Sequence, residues 1–360
     1  MSNLYIGVMS GTSLDGVDIA LCDIDKSSCK LLAFEEYPFP KTLKEEVLSI
    51  INGVVTLKEL GTLDAKLGEL YSETLSQFLR SQKLNTKDIN AIGLHGQTLW
   101  HEPHSKHPFS MQLGDANRVV AKTGIKTVAD FRRMDIANGG EGAPFAPAFH
   151  KFLFEKLEGN IAVLNIGGMA NITLLGSTLR GWDTGCGNVL LDMWMSKTQE
   201  KSYDKNGEFA QGGKVISELL EDMLNDEYFK KEPPKSTGRE YFNESWFAKF
   251  LPIFNAYKDR DIMRTLLELT AKTVANDLNK TDATKLILCG GGTRNGFLVK
   301  RLSELCSCEI NRSEEFGVSS DALEAMAFAW LAYKRINNEV VELSSVTGSK
   351  KDSQLGAIYG

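Results

Sequence analysis

The chain has 360 residues, of which 42% are hydrophobic and 24% charged, the balance of a globular protein rather than a disordered or fibrous one, and its length favours two lobes or a large α/β unit with a cleft over one compact core. The net charge of −6, with Lys and Arg scattered along the chain, argues against nucleic acid as the main partner. No stretch approaches the roughly 18 apolar residues of a membrane helix, Met1 to Gly11 lacks a cationic-then-apolar leader, and Cys22, Cys29, Cys186, Cys289, Cys306 and Cys308 form neither a disulfide framework nor paired metal-binding clusters, so no membrane association and a reducing, cytoplasmic location are expected.

In chain order, Leu4 to Val8 is short, apolar and β-prone, a Gly/Ser/Thr/Asp turn follows, and Val17 to Ile24 alternates again, which predicts a strand-turn-strand unit. Leu67, Leu70, Tyr71, Leu75, Phe78 and Leu79 fall at helical spacing, while Ala91 to Leu94 and Thr127 to Ala129 read as short buried strands. The N-terminal design returns from Ile161 to Leu175 around Gly167 and Gly168, a weak internal duplication. The polar, Pro-containing stretch Lys230 to Gly238 reads as an exposed loop or hinge. Leu267, Ala271, Val274 and Leu278 define an amphipathic helix. A strand at Lys285 to Cys289, a glycine run, a helix carrying Phe297, Leu298, Leu302 and Leu305, and a final helix from about Ser320 to Arg335 follow. This alternation of strands and helices predicts an α/β fold.

Three glycine loops carry the first chemical signals. In Gly11, Thr12, Ser13, Leu14, Asp15 and Gly16 the glycines permit close backbone approach, and the amides and hydroxyls can donate to phosphate oxygens. Asp15 and Asp18 can serve a magnesium ion directly or through water; a plain hairpin turn accounts for the same residue types. Gly167-Gly168 repeats the design and shares the turn reading. Gly290, Gly291 and Gly292 follow a buried strand and open a helix, a position suited to a nucleotide. Their spacing departs from the dinucleotide fingerprint, and no segment has P-loop spacing.

Asp183 sits in the Gly-rich run Gly181 to Asn188, ahead of an expected helix, where it can act as a general base or serve as a helix cap. Arg132 and Arg133, followed by the Gly139 to Pro144 segment, offer donors to an acidic substrate or are solvated surface charge. His95, Gln97 and Thr98 emerge at a strand end, where they can contact a sugar; a buried, hydrogen-bonded histidine is the alternative for His95. His101, His104 and His107 are interrupted by Pro103 and Pro108 and read as an exposed loop. Asp321 and Glu324 read as a helix capping box, with Glu324 a further candidate near a sugar.

Taken together, Met9 to Asp18, His95 to Thr98, Asp130 to Pro144, Asn165 to Asn171, Asp183 to Gly185 and Gly290 to Gly292 resemble the anhydro-N-acetylmuramic acid kinase family. The resemblance implies a two-lobed, actin-like (ribonuclease H-like) α/β ATPase fold with a central interlobe cleft. Lobes are expected at 1–130 and 131–360, with the final residues packing back on the first. It implies ATP and Mg²⁺ as cofactors, with Gly11, Thr12, Ser13, Leu14, Asp15, Gly16, Val17, Asp18, Gly167 and Gly168 at the phosphates and Gly290, Gly291 and Gly292 near adenosine. The implied substrate is a small amino sugar, 1,6-anhydro-N-acetylmuramic acid, with His95, Gln97, Thr98, Arg132, Arg133, Asn171 and Glu324 as candidate contacts.

Asp183 would activate water against the anomeric carbon while the released O6 accepts the γ-phosphoryl group, giving N-acetylmuramic acid 6-phosphate in cell-wall recycling. A homodimer is expected from the same resemblance. Cys186 departs from the pattern, since proline is expected there in many relatives. A kinase for a free sugar hydroxyl and a non-catalytic sugar sensor are the alternatives.

Overall fold

The structure is a computed structural model and describes residues 3–176, 178–239, 241–250 and 257–360. In chain order the strands are β1 (Leu4–Met9), β2 (Gly16–Ile24), β3 (Cys29–Pro38), β4 (Ile89–Leu94), β5 (Gln97–Glu102), β6 (Phe109–Leu113), β7 (Thr127–Ala129), β8 (Ile161–Ile166), β9 (Met169–Leu175), β10 (Arg180–Cys186), β11 (Lys285–Cys289), β12 (Glu309–Arg312) and β13 (Ala357–Tyr359). The chain divides into two units: residues up to Leu153 together with Ala322–Gly360, and Phe154–Asp321.

In the first unit the sheet order is β13-β7-β4-β1-β2-β3. β1, β2 and β3 form an antiparallel meander, β4 and β7 run parallel to β1, and β13 closes the edge antiparallel to β7. The helix Leu323–Ile336 lies directly on this sheet, and two strand glycines make the approach possible: a Cβ at Gly7 would fall 1.8 Å from the Ala325 carbonyl oxygen, and one at Gly93 2.0 Å from that of Phe328. On its other side the core is filled by the helix Leu57–Ser81, whose start is fixed by a Thr56–Glu59 capping box and whose Leu67, Tyr71, Leu75 and Phe78 are buried.

The boundary expected at 130/131 differs from this division. Residues 131–153 and 322–360 belong with the first unit, because the C-terminal helix and β13 satisfy their apolar faces and ladder bonds on its sheet.

The second unit has sheet order β10-β9-β8-β11-β12, with β8, β9 and β10 antiparallel and β11 and β12 parallel to β8. This is the order and sense of β3-β2-β1-β4-β7, so the duplicated hairpin is the legible part of a duplicated five-strand topology. The doubled arrangement is the actin-like fold expected from the sequence. Its long helix Asp259–Leu278 is buried on most of its surface and carries two buried acids, Glu268 and Asp277, each ion-paired. Among the described residues no helix is long and apolar enough to cross a membrane.

This topology fixes where chemistry can sit. The carboxyl ends of the parallel strands β1, β4 and β7 deliver the first glycine turn, His95 and the Asp130–Arg133 segment, and those of β8 and β11 deliver Gly167-Gly168 and Gly290–Gly292.

Candidate active site

In the second unit Asp183 lies at an irregularity of β10. Asn165, Asn171 and Asp183 are direct ladder partners across β8, β9 and β10, so their side chains share one face of the sheet, and the register slips between Asp183 and Gly185. The Asp183 carboxylate is held from outside its own strand: Oδ2 accepts from the Thr237 amide at 2.8 Å and from Ser236 Oγ at 3.1 Å. The capping alternative is excluded, because the helix Val189–Gln199 begins at Asn188 with no side-chain cap. Instead its first turn is met by the Gly167 and Gly168 carbonyls, which accept from Asn188 and Val189 at 2.8 and 3.1 Å.

The other glycine loop packs against the same strand end. At Gly290, with φ of +83°, a Cβ would meet Asn165 Oδ1 at 2.3 Å, so only glycine lets the loop close onto β8. Asn295 then caps the helix Gly296–Leu305 through Leu298 N at 3.0 Å. Cys186, the departure noted in the sequence, is buried, and burial pushes its thiol up to about 12, leaving a neutral packing residue.

In the first unit the turn after β1 is braced by residues the sequence did not single out. Lys44 donates to the Ser13 carbonyl at 2.8 Å and pairs with Asp15 Oδ1 at 3.1 Å. Thr12 and Ser13 are exposed, whereas Leu14 and Val17 are core residues, so only their backbone could face a phosphate. Gln97 is buried, accepts from Ser10 Oγ at 2.9 Å, and donates to Gly11 O at 3.4 Å. It braces the glycine turn. Thr98 remains partly exposed and accepts from Gln112 Nε2 at 3.2 Å.

Arg132 donates to Gly142 O at 2.9 Å, lies 2.8 Å from His95 Nε2, and stacks 4.9 Å from the Phe145 ring centre. Burial lowers its guanidinium to about 10, with Glu324 pulling the other way, and burial beside this cation holds the His95 imidazole well below its usual range. Glu324 is open to water yet ringed by protein, which raises its carboxyl while Arg132 opposes the rise. The capping box expected at Asp321 and Glu324 does not form: the helix starts at Ala322 without a side-chain cap, and Asp321 pairs with Arg294.

Arg133 is exposed and reaches Asp130 at 3.5 Å. Both line a cavity of about 310 Å³ in this unit, together with His95, Asp64, Asp115 and Asn117. Asp130 holds φ of +58°, the kind of backbone strain that clusters at binding sites. Of the three histidines, His101 lies in β5 with Nδ1 3.0 Å from Ser110 Oγ, while the exposed His104 approaches Glu141 at 3.7 Å; among the described residues no group of three or more His, Cys, Asp or Glu could hold a metal ion.

The residues missed by sequence reasoning are Lys44 and the Lys235–Thr237 segment. The second lay in the stretch read as an exposed hinge, since Lys, Ser, Thr and Gly have the composition of a solvated turn. Burial of Lys235 is invisible without its partner, Asp277.

The family model described as Anhydro-N-acetylmuramic acid kinase matches residues 3–360. Among curated relatives, the anhydro-N-acetylmuramic acid kinase of Sulfurimonas denitrificans is 55% identical over 367 residues, covering 100% of both chains. That of a Sulfurovum species is 55% identical over 358 residues, covering 99% of this chain and 98% of its own. Among solved structures, (R)-2-hydroxyglutaryl-CoA dehydratase component A of Acidaminococcus fermentans is similar in fold alone, with a TM-score of 0.50 and 13% identity over 93% of this chain and 100% of that one. Matched from residue 3 to its last residue by the family model and at 55% identity by full-length relatives, this chain belongs to the anhydro-N-acetylmuramic acid kinase family and is a phosphotransferase with an alcohol group as acceptor.

Proposed function

We propose that this chain uses ATP to convert 1,6-anhydro-N-acetylmuramic acid into N-acetylmuramic acid 6-phosphate, with Asp183 as the base that activates water. A 1,6-anhydro sugar has no free O6 hydroxyl, so the acceptor oxygen has to be released during the reaction. Water adds to the anomeric carbon, its proton passes to the Asp183 carboxylate, the C1–O6 bond breaks, and O6 takes the γ-phosphoryl group from ATP, leaving ADP. Transfer to O6 replaces the protonation that a leaving oxygen would otherwise need.

The observation that carries this reading is the hold on Asp183. Its Oδ2 is fixed by two donors, on the sheet face it shares with Asn165 and Asn171 and beside the Gly167-Gly168 turn. Asn171 is then a sugar contact, and the backbone of Gly167-Gly168 and Gly290–Gly292 faces the nucleotide. In the first unit the exposed amides and hydroxyls of Gly11–Ser13 face phosphate. The roles of Thr98, Arg132, Arg133 and Glu324 are to bind the sugar, the arginines attracting its carboxylate.

Asp15 and Asp18 fit a magnesium ion that takes most of its ligands from phosphate and water, since Asp15 is exposed on the turn and already engages one cation, Lys44. Such an ion neutralises phosphate charge. A cytoplasmic location and a homodimer complete the proposal.

The test is to incubate the protein with Mg-ATP, 1,6-anhydro-N-acetylmuramic acid and oxygen-18 water, and to weigh the sugar product beside an Asp183→Asn variant. A phosphorylated product carrying one solvent oxygen, lost in the variant, supports the reading. Phosphorylation without solvent oxygen points to a free-hydroxyl kinase, and an unmodified anhydro sugar sinks the proposal.

A further inference from the structure

Between Lys230 and Gly238 the sequence has the composition of a solvated hinge, yet its middle is fastened into the second unit. Lys235 Nζ lies 2.9 Å from Asp277 Oδ2, with side chains only 2% and 8% exposed. Asp277 Oδ2 also accepts from Trp182 Nε1 at 3.0 Å. The Lys235 ammonium lies 5.4 Å from the centre of the Tyr228 ring, and the phenol of Tyr228 donates to the Asp183 carbonyl at 2.8 Å. Every partner of the Lys235 ammonium named here is Asp183's sequence neighbour or its hydrogen-bond partner, or is bonded to that neighbour.

The backbone completes the link. Asp183 N donates to Lys235 O at 3.0 Å, and the next two residues, Ser236 and Thr237, supply the two donors on Asp183 Oδ2. Residues 235–237 therefore form a strap with one end anchored by a buried ion pair and the other closed on the candidate base.

A buried ion pair is a poor choice for stability alone, because desolvation offsets most of its attraction and an apolar pair of similar volume would serve as well. What it adds is direction: an ammonium and a carboxylate have one good mutual geometry, whereas two apolar side chains tolerate sliding. Sliding of this segment by a residue would move the Thr237 amide off Oδ2. The cost of such displacement is high, since about 1 Å of misplacement can reduce turnover about 100-fold.

We infer that Lys235 and Asp277 are positioning residues for the reaction: they fix the strap whose Ser236 and Thr237 donors orient the Asp183 carboxylate. The inference rests on the reading of Asp183 as the base. Lys235 and Asp277 touch neither nucleotide nor sugar in this scheme, so their removal acts on kcat and leaves the KM of both substrates in place.

The experiment compares kcat, both KM values and the thermal melting temperature across five variants. Asp183→Asn comes first: if it retains turnover, the reading of the base fails, whatever the strap does. Given an inactive Asp183→Asn, Lys235→Met is expected to lower kcat about 100-fold with KM within about twofold for ATP and sugar, and Lys235→Arg to recover part of kcat by restoring the charge.

Lys235→Met combined with Asp277→Leu is expected to recover the melting temperature through an apolar pair without recovering kcat. Ser236→Ala, at an exposed position, is expected to lower kcat about tenfold with no change in melting. Wild-type kcat in the well-folded double variant, or kcat losses that track melting temperature across the set, would overturn the inference.

Discussion

Arg132 Nη2 lies 2.8 Å from His95 Nε2, and because a guanidinium only donates, the ring nitrogen has to accept and the imidazole has to be neutral with its proton on Nδ1. His95 is buried, which favours the same form. Its contribution is thus to hold Arg132 at its place beside Gly142 and Phe145. Glutamine at this position keeps an acceptor and leucine does not. His95→Leu is expected to raise the KM for the sugar about 100-fold with the KM for ATP unchanged, and His95→Gln to raise it by less than about tenfold; steady-state kinetics with each substrate varied in turn checks this.

Asp183→Asn preserves an acceptor for the Thr237 amide and Ser236 Oγ, so the local fold is kept while the base is removed. Turnover is expected to fall about 1,000-fold or more, with the melting temperature within a degree or two and ATP still bound. Calorimetric titration with a non-hydrolysable nucleotide separates loss of chemistry from loss of binding; a variant that no longer binds nucleotide would refute the assigned role.

Two glycines that look alike in sequence are expected to behave differently. At Gly93 an added methyl would meet the Phe328 carbonyl at 2.0 Å, whereas at Gly291 nothing lies within 4 Å. Gly93→Ala is therefore expected to destabilise by about 3 kcal/mol, seen as a shifted urea midpoint. Gly291→Ala should leave that midpoint alone, so a rise in its KM for ATP would report contact of this loop with the nucleotide.

Opposite pH dependences are expected from two partly or fully buried groups. Burial lowers His150 to about 3 from an ordinary 6.5, so the unfolded chain binds the extra proton and the stability supplied by the neutral ring is lost as pH falls below that ordinary value. Burial raises Asp192 to about 6 against an ordinary 3.8, with Arg239 opposing, so its ionised form destabilises the fold above the raised value and this penalty disappears as pH falls towards the ordinary one. Melting curves from pH 8 to pH 4 are expected to show Asp192→Asn stabilising at pH 8, by about 1 kcal/mol once its partial exposure is allowed for, and neutral at pH 4. His150→Gln is expected to flatten the acid slope instead.

The family and reaction class of this protein were legible in its sequence, because glycine turns and their flanking polar residues are local features. The strands Thr127–Ala129 and Lys285–Cys289 coincide with β7 and β11, and the repeated hairpin is the part of the doubled topology that the sequence shows. Less legible were contacts that depend on a distant partner. Gln97 turns out to be bonded to Ser10 and Gly11, and Asp321, read as a helix cap, gives its carboxylate to Arg294 instead.

The packed sheet shows why the chain returns to it, since the helix Leu323–Ile336 lies on Gly7 and Gly93. Sequence by itself determined which residues could carry phosphate and act as a base, for those are matters of side-chain type and local turn geometry. The tertiary structure alone decided which residues hold others in place, because burying Lys235 or Gln97 becomes affordable only where a partner many residues away satisfies the charge or hydrogen bond it brings.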